Sequence, residues 1–184
     1  MKELSKANKF LLQVLLGQNV RVDDEYSLAY ECIKKAYRDM LTGGRFVKAS
    51  LSNEQLKLIL ISIKNNKFIY KRSEIDYIAS LLKSDSPIIK YENREATTFG
   101  LAQKILNMLY KYFYVVHSLM PEMFNLDYSL CDCPIDSVVL NTINYSVVPW
   151  TRLSKDQYLD VQSIIEKKSL QNGCNKLEYD FLAW

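Results

Sequence analysis

The sequence predicts an all-α fold, on three observations. Apolar residues recur at helical spacing along most of the chain, and clean strand alternation is missing throughout. Turn formers are scarce, with 5 Gly and 4 Pro in 184 residues, which argues against a turn-rich β-sandwich and against disorder. Hydrophobic residues make up 48% of the chain, enough for one well-packed domain or two small lobes sharing a core. The expected architecture is a single two-lobed helical unit with a cleft. Residues about 20–90 form one lobe, and 1–19 plus 91–184 form the other.

The elements follow in order. Phe10, Leu11, Val14 and Leu15 form an apolar stripe at i, i+1, i+4, i+5, a first helix. "QNVRVDD" breaks it. "DDEYSLAYECIKKAYRDML" then begins with acids, as a helix N-terminus prefers, and "TGGRF" closes it with glycines. Ser52 and Gln55 give the next helix a capping-box pattern. "KRSEIDYIASLLKS" is another helix, with Ile75, Ile78, Ala79 and Leu82 inward. Asp85 to Glu95 reads as a connector or linker. "TTFGLAQKILNMLYKYFY" is a long helix, and "CDCPIDSVVLNTI" is a loop leading into a short helix through Pro134. A late helix ends at Gly173, and "LEYDFLAW" packs back on the body.

The long helix poses the functional question. Placed on a wheel from Gly100, residues Lys104, Asn107 and Lys111 fall within about 40° of the glycine. Gln103, Tyr110 and Tyr114 flank this stripe, and the opposite half is apolar. The stripe is either the solvated face of a core helix or a surface for phosphates and bases. Asp136, after Pro-Ile and before an apolar run, is an N-cap by its position, and such an acid can also sit ionised in a cleft. "GQN" at a helix-to-helix turn can cap backbone groups or probe a nucleic acid.

These stretches, in this order, resemble the helix-hairpin-helix DNA glycosylase superfamily, the endonuclease III and 8-oxoguanine glycosylase group. "FLLQVLLGQNVRV" is similar to the family's early helix and its DNA-inserting turn. "NNKFIYKRSEIDYIASLL" is similar to its middle helix pair. "FGLAQKILNMLY" keeps the hairpin's first glycine, Gly100, with Lys104 and Asn107 beyond it, and Ile135-Asp136-Ser137 matches the family's Val-Asp-Thr. The resemblance spans roughly residues 9 to 145. The hairpin's Leu-Pro is replaced by Thr98-Phe99, its second glycine is Ala102, and the gap from lysine to aspartate is long.

The resemblance implies a DNA glycosylase with AP-lyase activity on a damaged or modified base. Lys104 would be the nucleophile that forms a Schiff base, and Asp136 would support the sugar cation and proton transfers. Gln18 and Asn19 would be the wedge that helps flip the base. Lys71 and Arg72 would contact phosphates, and Gly100, Gln103, Asn107 and Lys111 would complete the DNA surface. The alternative from a different class is a catalytically reduced helical module binding DNA, a nucleotide or a protein partner, and a plain helical interaction protein is a third reading. His117, the one histidine, reads as structural or solvated.

Net charge is +3, compatible with an anionic partner without requiring one. Of the four cysteines only Cys131 and Cys133 are close in sequence, a poor zinc or iron–sulfur pattern, so no metal or cofactor is expected. With no cleavage site and no run long enough to span a bilayer, the expectation is a monomeric cytoplasmic protein with no membrane partner.

Overall fold

The computed structural model describes residues 4–18, 20–21, 24–43, 51–84 and 98–184. Among these residues there are eight α-helices and no strand. Asn19, the Asp85–Glu95 linker and the stretch after Gly43 lie outside the described residues.

Helix α1 (Lys6–Leu16) starts at Ser5, whose hydroxyl accepts from the Asn8 N–H at 3.1 Å. It ends at Gly17, whose φ of 117° suits glycine. The side it buries differs from the expected stripe. Leu12 and Leu16 face the core, whereas Phe10, Leu11 and Val14 are exposed. The helix is apolar on several sides, so its own pattern leaves the orientation open. Packing against α2 and α5 decides it.

Helix α2 (Glu25–Gly43) is capped by Asp24, which takes the Tyr26 and Ser27 N–H groups. It buries Leu28, Ala29, Cys32, Ile33, Ala36 and Met40, one stripe at helical spacing. Helix α3 (Asn53–Asn65) carries the complete Ser52/Gln55 capping box. A tight turn at Asn66–Phe68, with Lys67 and Phe68 both at positive φ, leads toward α4 (Ser73–Ser84). Ile75, Ile78, Ala79 and Leu82 of α4 are buried as their spacing predicts.

Helix α5 (Thr98–Leu119) is the axis of the molecule, with α2 and α4 making the most extensive packing against it. Around its far side come the short α6 (Ser137–Thr142), α7 (Lys155–Gln171) and α8 (Lys176–Ala183). Two single 3₁₀ turns, Tyr128–Leu130 and Trp150–Arg152, lie between α5 and α7. The tail thus packs back as a helix of its own, with Leu177, Tyr179 and Asp180 buried.

Gly100 shows why α5 begins as it does. A Cβ at this position would stand 2.6 Å from the Trp150 carbonyl oxygen and 2.9 Å from the Thr151 carbonyl carbon. The glycine lets the backbone of the Trp150 turn lie directly on the helix. Its open face is filled by protein, so no phosphate reaches it there.

Candidate functional site

The polar stripe of α5 is buried. Gln103 and Asn107 are fully enclosed, so neither a solvated face nor a DNA-facing surface describes them, and Lys104, 5% exposed, reaches the surface only at the wall of a cavity. The reason is the segment Cys131–Asp136, every residue of which is buried. It runs extended through a helical core that offers no neighbouring strand, yet buried N–H and C=O groups must be paired. Side-chain amides supply the partners. Gln103 accepts from the Ile135 N–H at 3.2 Å and donates to its carbonyl at 2.9 Å. From α7, Gln162 does the same for Cys133, at 3.1 and 2.7 Å. Asn107 donates to the Cys133 carbonyl at 3.2 Å.

This seam carries a charge centre that sequence reasoning passed over. Asp132, between the two cysteines, is fully buried. It receives both prongs of Arg72, one at 2.8 Å, the Lys176 ammonium at 2.6 Å, and the hydroxyls of Tyr70 and Tyr158 at 3.1 and 2.8 Å. Burial alone would push this carboxyl up. The Arg72 hydrogen bond and the Lys176 charge outweigh it and hold the group below its ordinary value of 3.8. Arg72 is therefore committed to an internal acid. Lys71 remains exposed, donating to Asn66. The signal for Asp132 was an acid set between apolar thiols, which only tertiary packing turns into a core position.

Four residues further along the extended segment, Asp136 caps α6 through the Val139 N–H at 3.0 Å and accepts from Lys104 at 2.8 Å. The two residues expected to act together are thus in direct contact. Both line a cavity of about 580 Å³, within the range that accommodates small ligands. Asp39 and Thr42 of α2, Met108 and Lys111 of α5, Ser137 and Val138 of α6, and Trp150 and Trp184 complete its wall. Lys111 is ion-paired with Asp180 of α8 and lies over the Phe181 ring, 4.6 Å from its centroid.

Gln18 is exposed and borders a separate hollow of about 430 Å³ with Glu31, Lys34 and Arg38, sharing no residue with the Lys104 cavity. His117 is held structurally, its Nδ1 2.9 Å from the Met123 carbonyl oxygen. All four cysteines are free. Burial pushes the Cys131 thiol up to about 12, which makes it a poor nucleophile near neutral pH. Among the described residues no group of three or more His, Cys, Asp or Glu is placed to hold a metal ion, and no helix is long and apolar enough to cross a membrane.

No protein-family model matches the chain. Searches of curated proteins and of solved structures return no significant match either. The functional reading therefore rests on the cavity and its residues.

Proposed function

We propose that the chain is a DNA glycosylase with AP-lyase activity, working on a damaged or modified base in duplex DNA. The observation that carries this reading is the Lys104–Asp136 contact of 2.8 Å at the wall of an aromatic-lined cavity. A Schiff-base glycosylase needs an amine, an acid beside it, and a pocket for an extruded base. Trp150, Trp184 and Met108 offer flat and apolar surface for such a base. On this reading the fold is a two-lobed, helix-hairpin-helix-like arrangement and the protein acts as a monomer.

In the proposed reaction Lys104 passes a proton to Asp136 and its neutral amine attacks the sugar C1′. The C1′–N bond breaks, its electron pair leaves with the base, and the base takes up the proton held by Asp136, which returns to its carboxylate form. Opening of the sugar ring leaves an imine on Lys104. Loss of a C2′ proton then expels the 3′ phosphate by β-elimination, and water hydrolyses the imine to restore the amine. Asp136 faces the positive charge that develops on the sugar.

Borohydride trapping on duplexes carrying a panel of modified bases tests the reading. A covalent adduct with the wild-type chain, lost in Lys104→Ala, is the expected result. The burial of Gly100, Gln103 and Asn107 favours a second reading, a catalytically reduced module whose former hairpin face has become core. DNA binding without any adduct on the panel supports that module. No DNA binding at low salt overturns both readings.

A further inference from the structure

Asp180 is fully buried in α8, and its Oδ1 is the one buried side-chain oxygen or nitrogen without a hydrogen-bond partner among the described residues. A charged oxygen stripped of water and given no donor is costly, so it calls for an explanation. Its other oxygen takes the Lys111 ammonium. Lys111 and Lys104 line the same cavity and stand seven residues apart, two turns along one face of α5. Trp184, one turn beyond Asp180, lies on the cavity wall. The site therefore holds two lysine–aspartate pairs, the lysines from one helix and the acids from two other elements.

We propose that Asp180 is a positioning residue of the Lys104 site: it holds Lys111 at the cavity wall, cancels its charge, and so sets how readily the Lys104 amine gives up its proton. This rests on the nucleophilic role proposed for Lys104. With the acid ionised, Lys111 is compensated. Without that negative charge, Lys104 faces an unbalanced cation roughly 10 Å along the helix axis. At an effective dielectric of about 20, that changes the neutral fraction of a mostly protonated amine about tenfold. Lys104 and Asp136 both act electrostatically on Asp180, as does Lys111, and the Cys133 thiol lies in the same neighbourhood. Asp39, facing the cavity from α2, is already engaged by Lys35 and Tyr112. Burial pushes the Asp180 carboxyl up and Lys111 opposes it, which agrees with an acid whose charge is adjustable.

Reductive methylation of the folded 184-residue chain with formaldehyde and cyanoborohydride at pH 7, read lysine by lysine by mass spectrometry, tests the proposal. No DNA enters the assay, so its failure is separate from a failure of borohydride trapping. Asp180→Asn should speed modification of Lys104 about tenfold and leave the exposed Lys155 unchanged. Asp180→Glu, which restores the charge, should return Lys104 toward the wild-type rate. Lys111→Gln takes away the cation and lets the buried Asp180 carboxyl neutralise, so Lys104 should keep about its wild-type rate and adding Asp180→Asn to that background should change nothing further; this double replacement, which leaves no buried charge at this pair, carries the test if Asp180→Asn alone does not fold. A purely structural role would loosen the site, so Asp180→Asn would speed Lys104 with or without Lys111. An unchanged Lys104 rate in folded Asp180→Asn, or a speeding of Lys104 by Asp180→Asn in the Lys111→Gln background, overturns the proposal.

Discussion

Replacing Gly100 by alanine sets two effects of opposite sign against each other. Inside a helix, alanine is favoured over glycine by about 1 kcal/mol. Gly100 has no positive φ that would demand glycine, so on helix propensity alone the variant should be more stable. The added Cβ, however, would stand 2.6 Å from the Trp150 oxygen, 2.9 Å from the Thr151 carbon and 3.0 Å from the Thr151 oxygen, where ordinary contact begins at 3.4 Å. All three are backbone atoms, so no side-chain rotation relieves the clash. Overpacking of this kind costs typically about 1–3 kcal/mol, and the rigid obstacle places it at the upper end. The net expectation is a loss of about 2 kcal/mol, or a fall in Tm of roughly 4–8 °C for a chain of this size.

Urea denaturation measures this loss, with Trp150 as a buried reporter at 5% exposure. The midpoint should fall with the slope unchanged. Because Trp150 also lines the cavity, its emission in the folded state should shift as the turn is pushed aside. Stability equal to or above wild type would refute the packing account of Gly100.

Two further variants probe the buried seam. Asp132→Asn strips the charge partner from Arg72 and Lys176 and should cost about 3–5 kcal/mol near neutral pH by urea titration. The Asp132 carboxyl is lowered in the folded state, so its stabilisation is present above the ordinary value of 3.8 and is lost as pH falls through the lowered value. Asp180 is raised and acts with the opposite sign: its contribution is full below 3.8 and is lost as pH rises through its folded value. Asp132→Asn should therefore flatten the acid limb of the stability–pH curve below 3.8, and an unchanged limb would assign acid lability to other groups. Gln103→Leu leaves the Ile135 N–H and carbonyl without their partners and should cost about 3 kcal/mol by the same titration. A loss under about 1 kcal/mol would mean that the extended segment finds other partners.

The readable features were local ones. The capping box at Ser52/Gln55, the Asp136 cap, the inward face of α4 and the return of the tail onto the body follow from spacing and from side chains that serve their own helix. The contact of Lys104 with Asp136 was legible as a pairing of motifs, although nothing in the spacing said that both would be buried. Asp132, Asp180, Tyr158 and Gln162 were not legible, because their partners lie 26 to 88 positions away and share no periodicity with them. The stripe on α5 misled for a related reason. A wheel shows that polar residues share a face and is silent about what lies opposite.

By itself, the amino-acid sequence determined that this protein is helical, where most helices start and stop, and which residue types cluster on α5. Those properties depend on backbone hydrogen bonds and side chains within a few residues of one another. The tertiary structure alone decided that the clustered amides serve an extended segment in the core, that Gly100 admits the Trp150 turn, and that the lysines of two lysine–aspartate pairs line one cavity. Each of these depends on which distant segment lies against which face, and that is set by packing the whole core at once.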